Sequence, residues 1–232
     1  MQVIGFPSAA FGTNCYVVAP PAGDECVVVD PGIEILDQLA AVLRDTGLRP
    51  AAVLLTHGHL DHTYSVTPVC GAHGIAAHLH PADRHRLRDP LAEFAPQMLA
   101  MLEQQFGKAA TWAEPDDVVD LTDEATLEIA GLRIEVAHAP GHTEGSVMFE
   151  LSGVPDGFGD QASRTLLSGD VLFAGSIGRT DLAGGDDAAM VRTLREQVLG
   201  RADDTLVLPG HGAPTTIGRE RAANPHLRGL QS

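Results

Sequence analysis

The chain contains the continuous run Ala52-Val53-Leu54-Leu55-Thr56-His57-Gly58-His59-Leu60-Asp61-His62. Its apolar first part predicts a buried strand, and the part that follows holds three histidines and one aspartate within six residues. Imidazole and carboxylate are ligands for zinc, iron and similar cations, so this density favours metal binding over a polar loop that is rich in histidine by chance. His57 and His59 alternate along an extended chain and would present both rings on one side, whereas the adjacent Asp61 and His62 could serve a second ion.

Three other segments repeat this pattern, in which a run of apolar and β-branched residues ends in a potential ligand. The ligands and their motifs are His142 in Ala139-Pro140-Gly141-His142-Thr143, Asp170 in Ser168-Gly169-Asp170, and His211 in Pro209-Gly210-His211-Gly212. Glycine or proline closes each run, which indicates a buried strand that enters a tight loop. Strand ends that each offer histidine or aspartate predict one shared edge of the sheets, where these side chains meet.

These motifs resemble those of the metallo-β-lactamase superfamily, and within it the single-domain branch of glyoxalase II-like enzymes, which hydrolyse thioesters such as hydroxyacylglutathione. The resemblance extends to Val29-Asp30-Pro31-Gly32, Gly175-Ser176-Ile177-Gly178-Arg179-Thr180-Asp181 and Asn224-Pro225-His226-Leu227, and so covers nearly the whole chain. It implies two divalent cations, zinc with iron or manganese as alternatives. The implied ligands are His57, His59 and His142 for the first ion and Asp61, His62 and His211 for the second, with Asp170 bridging both and Asp30 supporting the metal loop.

The resemblance also implies the fold, an α/β sandwich of four layers (αβ/βα) in which two mixed sheets are flanked by helices. We expect residues 1–232 to form a single domain of this kind, because a chain of this length with 44% apolar residues can bury a full core. Hydrophobic periodicity agrees with alternating elements. It predicts strands over 14–19, 26–30, 51–55, 75–79, 126–137, 146–151 and 205–208, and helices over 35–43 with a stop at Gly47, from Asp61 to Gly71, over 83–110 and over 186–199.

Charge and composition exclude several classes of protein. A formal net charge of −16 argues against a nucleic-acid partner, because phosphate backbones require a basic face. The N-terminus has neither a basic start nor a long apolar stretch, which argues against a secretory signal and a membrane span. The three cysteines lie away from the ligand motifs and are expected to be buried, reduced thiols. We therefore expect a cytoplasmic protein that acts on a small-molecule thioester, with its oligomeric state left open.

The implied chemistry is hydrolysis by a metal-activated water. Two cations about 3.5–4 Å apart can share a water and lower its pKa to about 7, so that a bridging hydroxide attacks the thioester carbonyl. Asp61 and Asp170 are the expected catalytic carboxylates. A Ser-His-Asp triad is not required, since a thiol with a pKa of about 8.5 leaves readily as the thiolate. Arg179 matches the position of a basic residue that contacts glutathione in glyoxalase II enzymes, and the alternative is an internal ion pair with Asp181.

Two departures from the glyoxalase II pattern leave the acyl carrier open. Thr180-Asp181 replaces a tyrosine, and we expect the extra C-terminal helical domain to be absent because the chain stops at Ser232. Persulfide dioxygenases also resemble this chain and would bind one iron through His57, His142 and Asp170. Hydrolysis of a lactone or β-lactam, and metal binding without activity, are further alternatives. Structural roles are expected for the remaining histidines, which are His73, His78, His80, His85, His138 and His226. For His138, which precedes the Ala139-Pro140-Gly141 turn, contact with the site is the alternative.

Overall fold

The computed structural model describes residues 1–92, 104, 113–158 and 162–230. Within them, two six-stranded mixed sheets form the centre of the fold. The first sheet contains, in spatial order, β1 (Gln2–Pro7), β2 (Asn14–Ala19), β3 (Glu25–Val29), β4 (Arg49–Leu54), β5 (Ala77–Leu79) and β6 (Val118–Asp120). Strands β1 to β3 are antiparallel, whereas β3 to β6 run parallel to one another.

The second sheet contains β7 (Thr126–Ile129), β8 (Leu132–His138), β9 (Val147–Leu151), β10 (Arg164–Gly169), β13 (Thr205–Pro209) and β14 (Thr215–Thr216). Its spatial order is β14-β13-β10-β9-β8-β7, and the short strands β11 (Leu172–Phe173) and β12 (Ser176–Ile177) form a separate hairpin. All neighbours are antiparallel except β10 and β13, which are parallel. Consequently β8, β10 and β13 point in the same direction and end at the same edge.

The strand-like run 126–137 folds as the hairpin β7–β8. Its turn is formed by Ala130 and Gly131, whose φ angles are 53° and 71°. Positive φ at both central residues is the turn geometry that matches the twist of antiparallel strands. Ile129 therefore pairs with Leu132, and the two strands run back along each other.

Helices cover the outer faces of both sheets. They are α1 (Leu36–Thr46), α2 (Leu60–Thr63), α3 (Val66–His73), α4 (Arg84–Arg88), α5 (Asp187–Thr193), α6 (Ile217–Ala223) and α7 (Pro225–Arg228). Helix α1 ends at Gly47 in the left-handed conformation, as predicted. Helix α5 continues as a π-helical turn over Leu194–Val198, so the helix predicted over 186–199 is also confirmed.

Three clusters of buried side chains separate four layers. Along β3, Val28 packs against α1 and α3 on the outer side, whereas Val27 and Val29 pack against the second sheet. This alternation is the period of two that a strand buried on both faces must have. A third cluster lies between the second sheet and helices α5 to α7, where Leu166 and Met190 pack together. The predicted αβ/βα sandwich with two mixed sheets is therefore confirmed.

The helix predicted from Asp61 to Gly71 is wrong in its continuity and its end. It is divided into α2 and α3 at Ser65, whose N–H and hydroxyl donate to Pro31 and Gly32 carbonyls at 2.9 and 2.6 Å. Gly71 lies inside α3, which ends at Gly74 with a φ of 65°. Contacts with the loop after β3 therefore determine this break, and no local signal marks it.

The helix predicted over 83–110 is also interrupted. Helix α4 ends at Arg88, and Asp89 takes an extended φ of −140° before Pro90. A residue before proline is disfavoured in helical geometry because its backbone clashes with the proline ring, which explains this end. Most of the remaining predicted stretch lies outside the described residues.

The three cysteines lie in the apolar core. Cys15, Cys26 and Cys70 are buried and free of disulfides. Burial raises the pKa of the Cys26 and Cys70 thiols to about 12, which makes both inert packing residues at neutral pH. Among the described residues, no helix combines the length and the apolar character needed to cross a membrane.

Candidate metal centre

All seven candidate ligands lie where strands of the two sheets end. His57, His59, Asp61 and His62 follow β4 of the first sheet, whereas His142, Asp170 and His211 follow β8, β10 and β13 of the second. A backbone hydrogen bond of 2.8 Å from Val147 N–H to the Thr56 carbonyl joins the two edges. The seven side chains fall into groups whose ligand atoms lie within 4.8 Å of one another.

The first group consists of three imidazoles. His59 Nδ1 lies 3.1 Å from His57 Nε2 and 2.9 Å from His142 Nε2. The three rings meet nearly edge to face, with interplanar angles of 80° to 89°. Three nitrogens that converge in this way can bind a single cation, since each can direct a lone pair at the same point.

The second group adds carboxylates to imidazoles. His62 Nε2 lies 3.3 Å from His211 Nε2 and 3.5 Å from Asp61 Oδ2, and His211 Nε2 lies 3.3 Å from the same Asp61 oxygen. Thr13 donates a hydrogen bond of 2.7 Å from its hydroxyl to Asp61 Oδ2 and pairs with His211 in an isolated β-bridge. Thr13 thus contacts Asp61 through its side chain and His211 through its backbone, and these are the two half-buried members of the group.

Asp170 lies between the two groups. Its Oδ2 is 3.5 Å from His142 Nε2, and its Oδ1 is 3.4 Å from His62 Nε2. Oδ1 is buried without a hydrogen-bond partner among the described residues. A carboxylate oxygen in that position is costly unless a cation balances it. Gly210 makes this approach achievable, because a Cβ there would lie 2.2 Å from Asp170 Oδ1.

Hydrogen bonds behind the rings determine which nitrogen faces the centre. His62 Nδ1 donates to Asp30 Oδ2 at 3.0 Å, and His142 Nδ1 donates to the Arg179 carbonyl at 2.8 Å. His57 Nδ1 contacts the Thr56 hydroxyl at 3.1 Å. Each bond commits the proton to Nδ1 and leaves the Nε2 lone pair for a ligand, the usual arrangement around protein-bound metals.

Electrostatics differ between the two groups. Burial, with the neighbouring imidazoles, lowers the pKa of His57 well below its usual range and that of His59 to about 3. Although burial opposes protonation of His211 as well, the carboxylates of Asp170 and Asp61 raise its pKa to about 9. The first group therefore offers uncharged imidazole nitrogens to a cation. In the second group, the carboxylates favour the protonated, positively charged form of His211.

The donor set fits divalent cations. Five imidazoles and two carboxylates, with buried lone pairs directed at common points, suit zinc, iron or manganese better than calcium or magnesium, which prefer oxygen alone. His57, His59 and His142 could hold one ion and Asp61, His62 and His211 a second, with Asp170 able to reach both. Cations held there would act as Lewis acids and would activate water.

Arg179 lies on the loop after β12 and is more than half exposed. Its guanidinium forms two hydrogen bonds of 2.7 Å with the Asp181 carboxylate. This is the geometry of the ion-pair alternative, and its exposure also leaves the guanidinium within reach of an anionic ligand. The role of Arg179 in substrate binding stays a prediction.

The sequence did not predict several residues that form hydrogen bonds with the candidate ligands or with their loops. Thr13 is separated from Asp61 by 48 positions, so no local pattern relates them. Asp83 is completely buried and accepts hydrogen bonds from two ligand loops. Its spacing to Arg86 was the only available signal, since acidic and basic residues three apart pair on a helix. His80 and His138 stack with ring centroids 4.2 Å apart and belong to neither group.

The model of the metallo-β-lactamase superfamily matches residues 9–211 of the chain. The chain belongs to this superfamily. Its curated relatives include an uncharacterised protein of Mycobacterium leprae, ML0493, with 42% identity over 99% of this chain and 100% of the relative. The probable metallo-hydrolase YqgX of Bacillus subtilis is 32% identical over 97% of this chain and 96% of the relative. Hydroxyacylglutathione hydrolase GloC of Haemophilus influenzae is 31% identical over 98% of both chains.

Solved structures of the superfamily share this architecture. The BLEG-1 B3 metallo-β-lactamase has a TM-score of 0.80 and 36% identity, covering 97% of this chain and 99% of that one. The di-iron-bound form of TTHA1623 has a TM-score of 0.72 and 35% identity, covering 96% of this chain and 98% of that one. The chain is thus a metal-binding member of a metallo-hydrolase superfamily, with the fold that its motifs predicted.

Proposed function

We propose that this metallo-β-lactamase-fold protein is a thioester hydrolase of the glyoxalase II type that works with two divalent metal ions. The observation that carries the proposal is the position of Asp170, whose two oxygens lie 3.5 Å from His142 Nε2 and 3.4 Å from His62 Nε2. A carboxylate between two complete groups of ligands suits a centre that holds two ions side by side. The similarity to GloC over the whole chain supports the thioester as the substrate class.

When bound, the two cations would lower the pKa of a shared water to about 7 and polarise the substrate carbonyl. Asp61 Oδ2 and Asp170 Oδ2 lie 3.3 and 3.4 Å from His211 Nε2, and they would orient such a water by accepting its hydrogen bonds. The thiolate then leaves without a strong general acid, since the pKa of a free thiol is about 8.5. No nucleophilic side chain is required by this route.

Arg179 is the proposed contact for the anionic end of the acyl carrier. Its planar guanidinium can pair with a carboxylate in a bidentate manner, as it does with Asp181. A carboxylate of the acyl carrier would replace Asp181 as the partner of Arg179. Because this site is exposed, the exchange costs little desolvation. Glutathione and other anionic low-molecular-weight thiols satisfy this requirement.

A second candidate activity is β-lactam hydrolysis. It is favoured by one observation, the similarity to BLEG-1 at 36% identity. A water activated by the same ions could attack a lactam or lactone carbonyl, because these reactions differ from thioester hydrolysis only in the leaving group. ETHE1 of Myxococcus xanthus, with 22% identity over 99% of this chain and 85% of that one and a TM-score of 0.74, supports the shared fold alone.

The test combines metal analysis with a substrate panel. We expect two ions per chain and hydrolysis of lactoyl-glutathione, with slower turnover of a chromogenic cephalosporin and a lactone. His59→Ala should abolish hydrolysis and leave the circular dichroism spectrum unchanged. One iron per chain together with oxygen uptake on glutathione persulfide would overturn the proposal in favour of a dioxygenase. Faster turnover of the cephalosporin than of the thioester would identify β-lactams, and not thioesters, as the substrate class.

A further inference from the structure

We infer that Asp83 is a positioning residue that fixes the first ligand group alone, by clamping the loop of His57 and His59 to the loop of His142. The inference rests on the proposed function, because it presumes that the two groups hold separate ions. Asp83 ends the turn Pro81–Asp83 before α4 and is not itself a member of either ligand group. Its carboxylate is completely buried.

Four donors surround the Asp83 carboxylate. Oδ2 accepts from Gly58 N–H and from the Thr143 hydroxyl, both at 2.7 Å. Oδ1 accepts from Gly145 N–H at 2.9 Å and from Arg86 Nη1 at 2.7 Å. Gly58 lies between His57 and His59, whereas Thr143 follows His142 directly. One side chain thus ties together the two segments that carry the first group.

Arg86 extends the clamp to a third segment. Its Nη1 also donates to Glu144 Oε2 at 2.8 Å, and its Nη2 donates to the Ala183 carbonyl at 2.9 Å. Arg86 is 3% exposed, so the charge of Asp83 is balanced away from water. A buried carboxylate that is fully hydrogen-bonded and ion-paired holds its geometry rigidly, whereas loss of one partner leaves a costly unpaired group.

Gly145 allows the Asp83 carboxylate to approach the backbone closely, and any larger residue at this position would clash with it. A Cβ at position 145 would lie 2.6 Å from Asp83 Cγ. The Asp83 carboxylate therefore packs directly against the backbone of the His142 loop. In contrast, the supports of the second group come from elsewhere, since Thr13 contacts Asp61 and Asp30 contacts His62. Thr13 therefore supports the second group alone, as Asp83 supports the first, whereas Asp30 reaches both groups through Thr56 and His62.

Asp83→Asn should selectively weaken one of the two ions. Asparagine keeps the size of the side chain, but its N–H₂ group is a donor and replaces an oxygen that accepts two hydrogen bonds, so two of the four surrounding donors lose their acceptor. The first group should then bind Zn²⁺ about 10–100-fold more weakly, the range found when residues that orient metal ligands are replaced. Thr13→Val is the matched control for the other side, because it removes the support of Asp61 and should weaken the second ion.

The experiment measures Zn²⁺ binding by competition with a chromophoric chelator, in the full chain and in a double-mutant cycle with His59→Ala. His59→Ala destroys the first group, so we expect Asp83→Asn to cause no further loss of Zn²⁺ affinity in that background, whereas Thr13→Val should. A further tenfold loss from Asp83→Asn in the His59→Ala background would overturn the inference. Wild-type binding of a single ion would instead overturn the proposed function.

A milder variant and a spectroscopic measurement cover the case in which Asp83→Asn does not fold. Thr143→Val removes one of the four donors and keeps the side-chain shape, so we expect weaker Zn²⁺ binding by the first group and unchanged binding by the second. When both proteins are loaded with Co²⁺, the absorption bands of the ion held by the first group should differ between Thr143→Val and the wild type. Glu220→Gln alters a buried carboxylate that contacts Gly175 and Thr215, and it should leave both Zn²⁺ affinities unchanged. Equal effects of Thr143→Val on both ions would overturn the inference.

Discussion

Thr56 donates two hydrogen bonds to Asp30, from its N–H to Oδ1 at 2.8 Å and from its hydroxyl to Oδ2 at 2.7 Å. Because the hydroxyl has a single proton, its 3.1 Å contact with His57 requires the His57 Nδ1–H to donate. The same Asp30 oxygen accepts from His62 Nδ1 at 3.0 Å. One buried carboxylate therefore orients one imidazole of each ligand group.

Replacing Thr56 tests this relay. Thr56→Val removes the hydroxyl but keeps the shape and the backbone bond to Asp30, so His57 loses the acceptor that orients its ring. We expect turnover and metal affinity to fall about 10–100-fold. Thr56→Ser retains the hydroxyl and should stay within a few-fold of the wild type. Steady-state kinetics and Zn²⁺ competition check both variants, and wild-type turnover and Zn²⁺ affinity in Thr56→Val would contradict the relay.

Gly210 is a second sensitive position. In Gly210→Ala the new Cβ would lie 2.2 Å from Asp170 Oδ1 and 2.8 Å from His62 Cε1, so the Asp170 carboxylate must move. A displacement of about 1 Å in a catalytic geometry costs about 100-fold in rate. The expected result is loss of hydrolysis and of metal in the folded protein.

Gly71→Ala is the control for that substitution. Gly71 lies within α3, and no atom is within 4 Å of the position its Cβ would take. Alanine there should stabilise the fold by about 0.5–1 kcal/mol, because glycine loses more conformational entropy in a helix. Urea denaturation measures the change, and wild-type turnover in this variant would localise the Gly210 effect to the centre.

Metal removal should lower the thermal stability of the protein. The ligand groups join the ends of both sheets, so cations that bind the folded state alone stabilise it. At a metal concentration of 100 times the dissociation constant the gain is about 2.7 kcal/mol, or about 5–10 °C in the melting temperature for a domain of this size. Scanning calorimetry after chelation and after Zn²⁺ addition checks this, and an unchanged midpoint would contradict metal binding by the native fold.

The Arg179–Asp181 pair distinguishes substrate binding from a structural role. Arg179→Ala should raise KM for lactoyl-glutathione several-fold with little change in kcat, because the guanidinium would lie remote from the reacting carbonyl. Asp181→Asn weakens the competing partner of Arg179 and should lower KM. A lower melting temperature of Arg179→Ala at unchanged KM would instead establish the pair as a brace of the loop.

Local sequence pattern was sufficient to predict the four strands β4, β8, β10 and β13 and the candidate ligands that follow them. Apolar runs such as 205–208 alternate with glycine and proline, and a strand end followed by histidine or aspartate is visible without any tertiary information. The superfamily resemblance then implied the grouping of these residues. The helix break at Ser65 could not be predicted from local sequence, because it depends on hydrogen bonds to the Pro31 and Gly32 carbonyls. The helix end at Asp89 is marked locally by Pro90, and our prediction missed it.

The sequence by itself therefore determined the chemical type of the centre, through residue types at short spacings, and the fold class, through the superfamily resemblance that these motifs carry. Only the tertiary structure decided which nitrogen of each imidazole faces inward and which residues hold the loops at their distances. Those properties depend on Asp30, Thr13 and Asp83, whose partners on the ligand loops lie 25 or more positions away along the chain. A hydrogen bond acts over about 3 Å of space, and only folding brings such distant groups that close.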